Sequence, residues 1–177
     1  TLLNEIIIEK KIAQPSKILR KLNTSIVHIL NQTESREEVQ DDGMDITLCV
    51  IDLEKNQLEL ACANHYALVY QDGVCNEITG NVYAIGGIFA LKEEQEFEDH
   101  LIEIKKGTTL YMLSDGFQDQ FGGEDNRKFM TDNFKKLISS VQQYPMEQQQ
   151  TILAETFDTW RGNQKQIDDI LVIGIRF

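Results

Sequence analysis

Apolar residues recur along this chain with two different spacings, and the switch between them separates helical from extended stretches. Leu2, Leu3, Ile6, Ile7 and Ile8 lie in a helix-compatible run that ends near Ile12. Pro15 suits the first turn of a second helix over 15–30. There Ile18, Leu19, Leu22, Ile26, Ile29 and Leu30 return at helical spacing and make one apolar face. Residues 31–43, N-Q-T-E-S-R-E-E-V-Q-D-D-G, are polar and acidic and read as a loop.

From Met44 the period shortens. M-D-I-T-L-C-V-I-D-L reads as a strand, alternating at first and apolar on both faces later. Lys55-Asn56 makes a turn, Q-L-E-L-A-C-A-N a second strand and Y-A-L-V-Y-Q a third. Asp72-Gly73 is a strong hairpin signal, with V-C-N-E-I as the returning strand. Gly86-Gly87 marks another corner within 84–89. A strand is expected over 97–104, and after Lys106-Gly107 another over 108–113. Helical spacing then returns over 129–141 and 146–160, with Pro145 opening the second. The last run, D-I-L-V-I-G-I-R-F, is expected to be a strand buried on at least one face.

The order is two helices, about six strands, two helices and one strand, with hairpin-length connections among the strands. The fold class expected is α+β, with helices packed on a mostly antiparallel sheet. No repeat, low-complexity segment or linker divides the 177 residues, so a single domain over 1–177 is expected. A hydrophobic content of 41% supports a proper core. The chain opens on Thr1 and reads as a piece of a longer protein.

The net charge of −12 argues against nucleic acid and anionic membrane as partners and favours cationic metals or basic surfaces. Cys49, Cys62 and Cys75 sit in strand-like contexts without a C-x-x-C pair, as buried thiols of a reducing, cytoplasmic compartment do. No signal peptide and no apolar run long enough to span a bilayer is visible.

Chemistry concentrates in two acidic clusters at strand ends. Asp115 follows T-L-Y-M-L in S-D-G-F-Q-D-Q-F-G-G, with Asp119 one helical turn further on. Asp168-Asp169 precede the final strand. If these two strands are antiparallel neighbours, Asp115 and Asp168 converge at one sheet edge. Converging carboxylates repel unless a cation lies between them, and oxygen-only ligands select Mg²⁺ or Mn²⁺. Gly116 lets the backbone turn close to such a site. Taken singly, each cluster also reads as ordinary turn chemistry.

L-S-D-G-F-Q-D-Q-F-G-G followed by Q-I-D-D-I-L-V-I-G-I resembles the metal-dependent serine/threonine protein phosphatases, the PPM or type 2C superfamily, and in particular its bacterial SpoIIE-like branch. There the signatures are [TS]-D-G-x-x-[DE] and a C-terminal D-D-[IMV]-T before an apolar strand. D-G-M-D-I-T-L-C-V-I-D-L with A-C-A-N-H resembles that branch's first central hairpin, and A-I-G-G its P-[IL]-G turn. The likeness is collinear over essentially the whole chain.

The resemblance implies an α/β/β/α sandwich whose N-terminal strands lie upstream of this chain. It implies that Asp115 and Asp168 are ligands of a two-metal Mn²⁺ or Mg²⁺ site. Asp119 falls where some members help hold a third metal, and Asp169 supports its neighbour. Leu171 replaces the usual Thr or Ser. The family takes further ligands from an earlier strand and a D-x-x-G-H-G-like segment, both preceding the two N-terminal helices, so this chain carries part of the set and its activity alone stays open. Asp42-Gly43 and Asp45 lie at the wrong point in the order and are set aside as ligands. No catalytic group beyond the metal ligands is implied.

The implied activity is hydrolysis of phosphoserine or phosphothreonine in a regulatory partner protein, by a metal-activated water without a covalent enzyme intermediate. The domain would be the output of a longer bacterial signalling protein with an upstream sensor domain, and a homodimer is left open. The two N-terminal helices are candidates for a switch that sets metal-site geometry. A competing reading is a non-catalytic partner-binding or dimerisation module with an incomplete metal site. His65 is read as a turn residue, Trp160 as a core or cap residue, and Arg127-Lys128 as a small basic spot in a solvated loop.

Overall fold

The structure, a computed structural model, describes residues 1–32, 42–87 and 95–177. The expected acidic loop over 31–43 and the end of the 84–89 corner lie mostly outside them. Contacts group the described residues into two compact units, Thr1–Ala67 with Ile78–Ile104, and Leu68–Glu77 with Lys105–Phe177.

Helix α1 (Leu2–Asn4) runs directly into a π-helical turn, Glu5–Glu9. The apolar spacing predicted one plain helix here. The wider turn instead buries Ile6 at 1% exposure and leaves Ile8 at 68%. Helix α2 (Pro15–Ile29) starts with Pro at its first turn, where the missing N–H costs nothing. One of its free N–H groups is capped from far along the chain. Asp99 accepts from Ser16 N–H at 2.7 Å, Ser16 Oγ at 2.5 Å and Gln14 Nε2 at 2.6 Å.

The strands are β1 (Gly43–Met44), β2 (Ile46–Asp52), β3 (Gln57–Ala63), β4 (Tyr66–Gln71), β5 (Val74–Thr79), β6 (Ile85–Gly86), β7 (His100–Glu103), β8 (Thr109–Leu113), β9 (Phe121–Gly122), β10 (Arg127–Lys128) and β11 (Val172–Arg176). In the first unit β2, β3 and β7 form an antiparallel sheet in that order. Ile18, Leu19 and Leu22 of α2 pack with Ile6 against Ala61, Ala63, Ile85 and Phe97. The small alanines let the helix lie close. The strand expected over 97–104 is shorter because Phe97 turns into this core and Asp99 leaves to cap α2.

The second unit carries an antiparallel sheet in the order β11-β8-β4-β5. Asp72 and Gly73 take φ of 54° and 83°, the left-handed pair that a tight hairpin needs, as their sequence predicts. Helices α3 (Gly116–Asp119), α4 (Thr131–Ser140) and α5 (Met146–Arg161) complete the unit. Phe117 meets Phe129, Phe134 and Phe157 edge-on, with centroids 4.9–5.2 Å apart. The fold class is the α+β arrangement of mostly antiparallel sheets and few helices that the sequence predicts.

The final strand departs from expectation. It is confined to Val172–Arg176 and none of its residues is buried; Ile173 is 40% exposed. The reason is topological: β11 is an edge, with β8 as its partner among the described residues. No helix of the described residues is long and apolar enough to cross a membrane.

Candidate metal centre

Strands β8 and β11 are antiparallel neighbours, with Leu113 opposite Val172. The residue after one strand therefore meets the residue before the other. Ser114 N–H donates to Leu171 O at 2.9 Å, continuing the ladder by one step. Ser114 Oγ accepts from Leu171 N–H at 2.9 Å and donates to Asp169 O at 2.8 Å. One hydroxyl thus ties the S-D-G corner to the D-D-I-L segment.

Gly116 completes this junction. A Cβ on it would lie 2.3 Å from Asp169 O, closer than any side chain tolerates. Its φ is not positive, so what the position requires is close approach and not an unusual backbone. Asp115 occupies the N-cap of α3 with an exposed carboxylate that makes no capping bond. Asp168 and Asp169 are exposed too, and Asp168 Oδ1 accepts from Asp169 N–H at 2.7 Å. Gln166 Nε2 donates to Asp168 O at 2.8 Å.

Asp119 is engaged differently. Its Oδ2 pairs with Lys128 Nζ at 2.8 Å across the β9–β10 hairpin. Arg127 pairs with Asp125 at 2.6 Å, so both members of the small basic spot answer nearby acids. His65 Nδ1 lies 2.8 Å from Thr47 Oγ in the first unit, in the turn role read from the sequence. Asp45, set aside as a ligand, accepts both contacts from Asn64 Nδ2 at 3.0 Å.

Carboxylate and carbonyl oxygens, without sulfur or imidazole, are the donor set of a hard divalent cation. Asp115, Asp168 and Asp169 fit that chemistry at two adjoining strand ends. They do not complete a cage: among the described residues no three or more His, Cys, Asp or Glu side chains gather as a metal group. A cleft of about 640 Å³ with a mixed lining lies beside β11, between apolar residues such as Phe117, Leu153 and Val172 and polar ones such as Asp158, Arg161 and Gln166. None of the four aspartates lines it, although Gln166 and Ile170, on either side of Asp168 and Asp169, do.

The sequence did not single out Ser114 or Gln120, and it read Lys128 only as part of a small basic spot, without its Asp119 partner. Ser114 lies within the S-D-G motif, and nothing in spacing marks a hydroxyl that bridges to a residue 57 positions away. Trp160, expected in a core or cap role, closes on Phe129 with centroids 5.3 Å apart and donates its indole N–H to Gln120 O at 3.0 Å.

A family model described as Stage II sporulation protein E (SpoIIE) matches residues 1–177. Among solved structures, the SiaA-PP2C domain of Pseudomonas aeruginosa is similar with a TM-score of 0.85 at 24% identity, over 99% of this chain and 66% of that one. The phosphatase domain of the cell fate determinant SpoIIE from Bacillus subtilis gives 0.58 at 19%, over 99% and 71%. The catalytic domain of serine threonine protein phosphatase PstP, in complex with 2 manganese ions, gives 0.56 at 16%, over 90% and 67%. At these identities the likeness is one of fold, that of the PP2C phosphatase domains. No curated protein sequence matches the chain.

Proposed function

The chain belongs to the SpoIIE family over its whole length, and from that premise we propose that it is the larger part of a metal-dependent protein phosphatase domain. It would dephosphorylate phosphoserine or phosphothreonine in a regulatory partner protein, as the cytoplasmic output of a bacterial signalling protein with an upstream sensor. The observation that carries this reading is the junction of the two acidic motifs, where Ser114 Oγ and the bare face of Gly116 hold Asp169 against the S-D-G corner.

Asp115 and Asp168 would hold Mn²⁺ or Mg²⁺, with Asp169 as support and Asp119 as a further acid. The bound ions would acidify a water and neutralise phosphate charge. The chain's own residues do the arranging. Ser114 fixes the two backbones, Gly116 allows their approach, and Asp168 Oδ1 accepts its neighbour's N–H, which restrains that carboxylate. Lys128 offsets the Asp119 charge.

The second reading, a partner-binding or dimerising module without catalysis, is favoured by the absence of a three-residue metal group among the described residues. Calorimetric titration of Mn²⁺ into this chain, beside Asp115→Ala, separates the two. Binding that the variant loses supports the phosphatase reading, and a phosphopeptide hydrolysis assay then follows. No binding to either protein removes the metal role from this chain and leaves the second reading.

A further inference from the structure

Gln120 follows Asp119 directly, and it is fully buried in the second unit. Its Nε2 donates to Phe121 O at 2.9 Å and to Lys165 O at 3.0 Å. Lys165 lies three residues before Asp168, in the segment that leads from α5 into β11. The next residue, Gln166, donates to Asp168 O. One amide therefore joins the residue after Asp119 to the approach of Asp168.

The Gln120 backbone is tied as firmly. Its carbonyl accepts from Trp160 Nε1 and from Phe129 N–H, each at 3.0 Å. Trp160 O in turn accepts from Gly123 N–H at 2.8 Å. A Cβ on Gly122 would fall 1.9 Å from Trp160 O, and one on Gly123 would fall 2.8 Å from the indole ring. The hairpin that carries Lys128 is thus seated on the end of α5 without room for a side chain at either glycine.

Energy of burial does not explain this residue. Gln120 Oε1 is buried with no hydrogen-bond partner among the described residues, which is a cost that Leu or Met of similar volume would avoid. What glutamine alone offers there is two N–H donors aimed at two carbonyls in different segments. We propose that Gln120 is a positioning residue that sets the Asp168–Asp169 segment relative to Asp119. The two acidic motifs then keep one separation before any cation arrives. The proposal rests on the metal-binding reading for its purpose, while the fastening itself belongs to the metal-free chain.

Two measurements on Gln120→Met in this chain test it. The first is amide hydrogen exchange without metal. Exchange over residues 164–169 is expected to rise about tenfold, with β4 and β8 amides unchanged, as a local opening requires. The second is Mn²⁺ binding followed by the electron paramagnetic resonance spectrum, where affinity is expected to fall about tenfold and the Mn²⁺ line shape to broaden, the size of effect that losing a support behind metal ligands gives. Trp160→Phe, which keeps a ring and removes only the N–H, is expected to move both readouts the same way by less. Unchanged exchange over 164–169 overturns the proposal, and so does uniform acceleration along the chain, which makes Gln120 a plain stability residue. If the parent chain binds Mn²⁺ and Gln120→Met binds it equally, the positioning role is overturned even where exchange is faster. If the parent chain takes no Mn²⁺, the metal role leaves this chain, and the exchange result alone decides whether Gln120 fastens the segment.

Discussion

Ser114 and Leu171 hold each other twice: Ser114 N–H donates to Leu171 O at 2.9 Å, and Leu171 N–H returns to Ser114 Oγ at 2.9 Å. The same hydroxyl donates to Asp169 O, so its loss frees two groups of the D-D-I-L segment. Because that segment is exposed, water replaces part of what is lost. Ser114→Ala is expected to cost about 1 kcal/mol in denaturant unfolding, with Ser114→Thr close to the parent. A Ser114→Ala midpoint equal to the parent's would show that the hydroxyl contributes nothing to the junction.

Gly116→Ala and Gly107→Ala should fail for different reasons. At Gly116 the new Cβ collides with Asp169 O, and the motifs must part. At Gly107 nothing lies within 4 Å, but φ is +86°. Expected losses are about 1–3 kcal/mol at Gly116 from crowding and about 1 kcal/mol at Gly107 from backbone strain. Only Gly116→Ala should also weaken Mn²⁺ binding, which calorimetry would read. Equal effects of the two on metal binding would sever the link between close approach and the site.

The three cysteines are free, and burial raises the thiol pKa of each. Cys49 is pushed up to about 12, first by desolvation and then by the neighbouring Cys62. At pH 8 the folded protein should react slowly with a chromogenic disulfide reagent, and fully once unfolded. The folded state holds these protons more tightly than the unfolded chain. The contribution of Cys49 to stability is therefore complete below the unfolded value of 9.0 and is lost as pH rises toward 12, and those of Cys62 and Cys75 fall in the same direction. Rapid labelling of Cys49 in the native protein at pH 8 would contradict this.

Glu59 gives the acid-side counterpart. Burial raises its carboxyl above 4.5, the charge of Asp99 adds to the rise, and Lys55 opposes it. The folded state then prefers the protonated form, so Glu59 favours folding below 4.5 and this is lost as pH climbs through the folded value. Glu59→Gln should melt with the parent at pH 4 and above it at pH 7. Identical pH profiles would remove Glu59 from the account.

Most of this fold can be read from local pattern because most of it is made locally. The Asp72-Gly73 hairpin and the start of α2 at Pro15 each follow from residues within a few positions. What pattern cannot supply is long-range partnership. Asp99 looked like part of a strand, yet it caps a helix 83 residues earlier. The π-helical turn at Glu5–Glu9 keeps an apolar content that suits any helix and differs only in which isoleucine turns inward. The same division runs through the candidate site. The two Asp motifs announce themselves, and the antiparallel pairing of β8 with β11 is the condition under which they converge. The residues that fasten them, Ser114 and Gln120, are polar positions beside apolar runs, and only the register reveals what they touch.

The edge of β11, uncovered among the described residues, has a consequence for how the protein behaves in bulk. Every second N–H and C=O of Val172–Arg176 faces away from β8, beside an exposed Leu171 and Ile173. Such an edge templates pairing between molecules. At neutral pH the net charge of −12 keeps copies apart. Near pH 4.6, where that charge vanishes, mutual repulsion no longer guards the edge. Turbidity should then peak in a narrow acidic band, and a lysine at Ile173 should flatten it by making the strand an unwelcoming template.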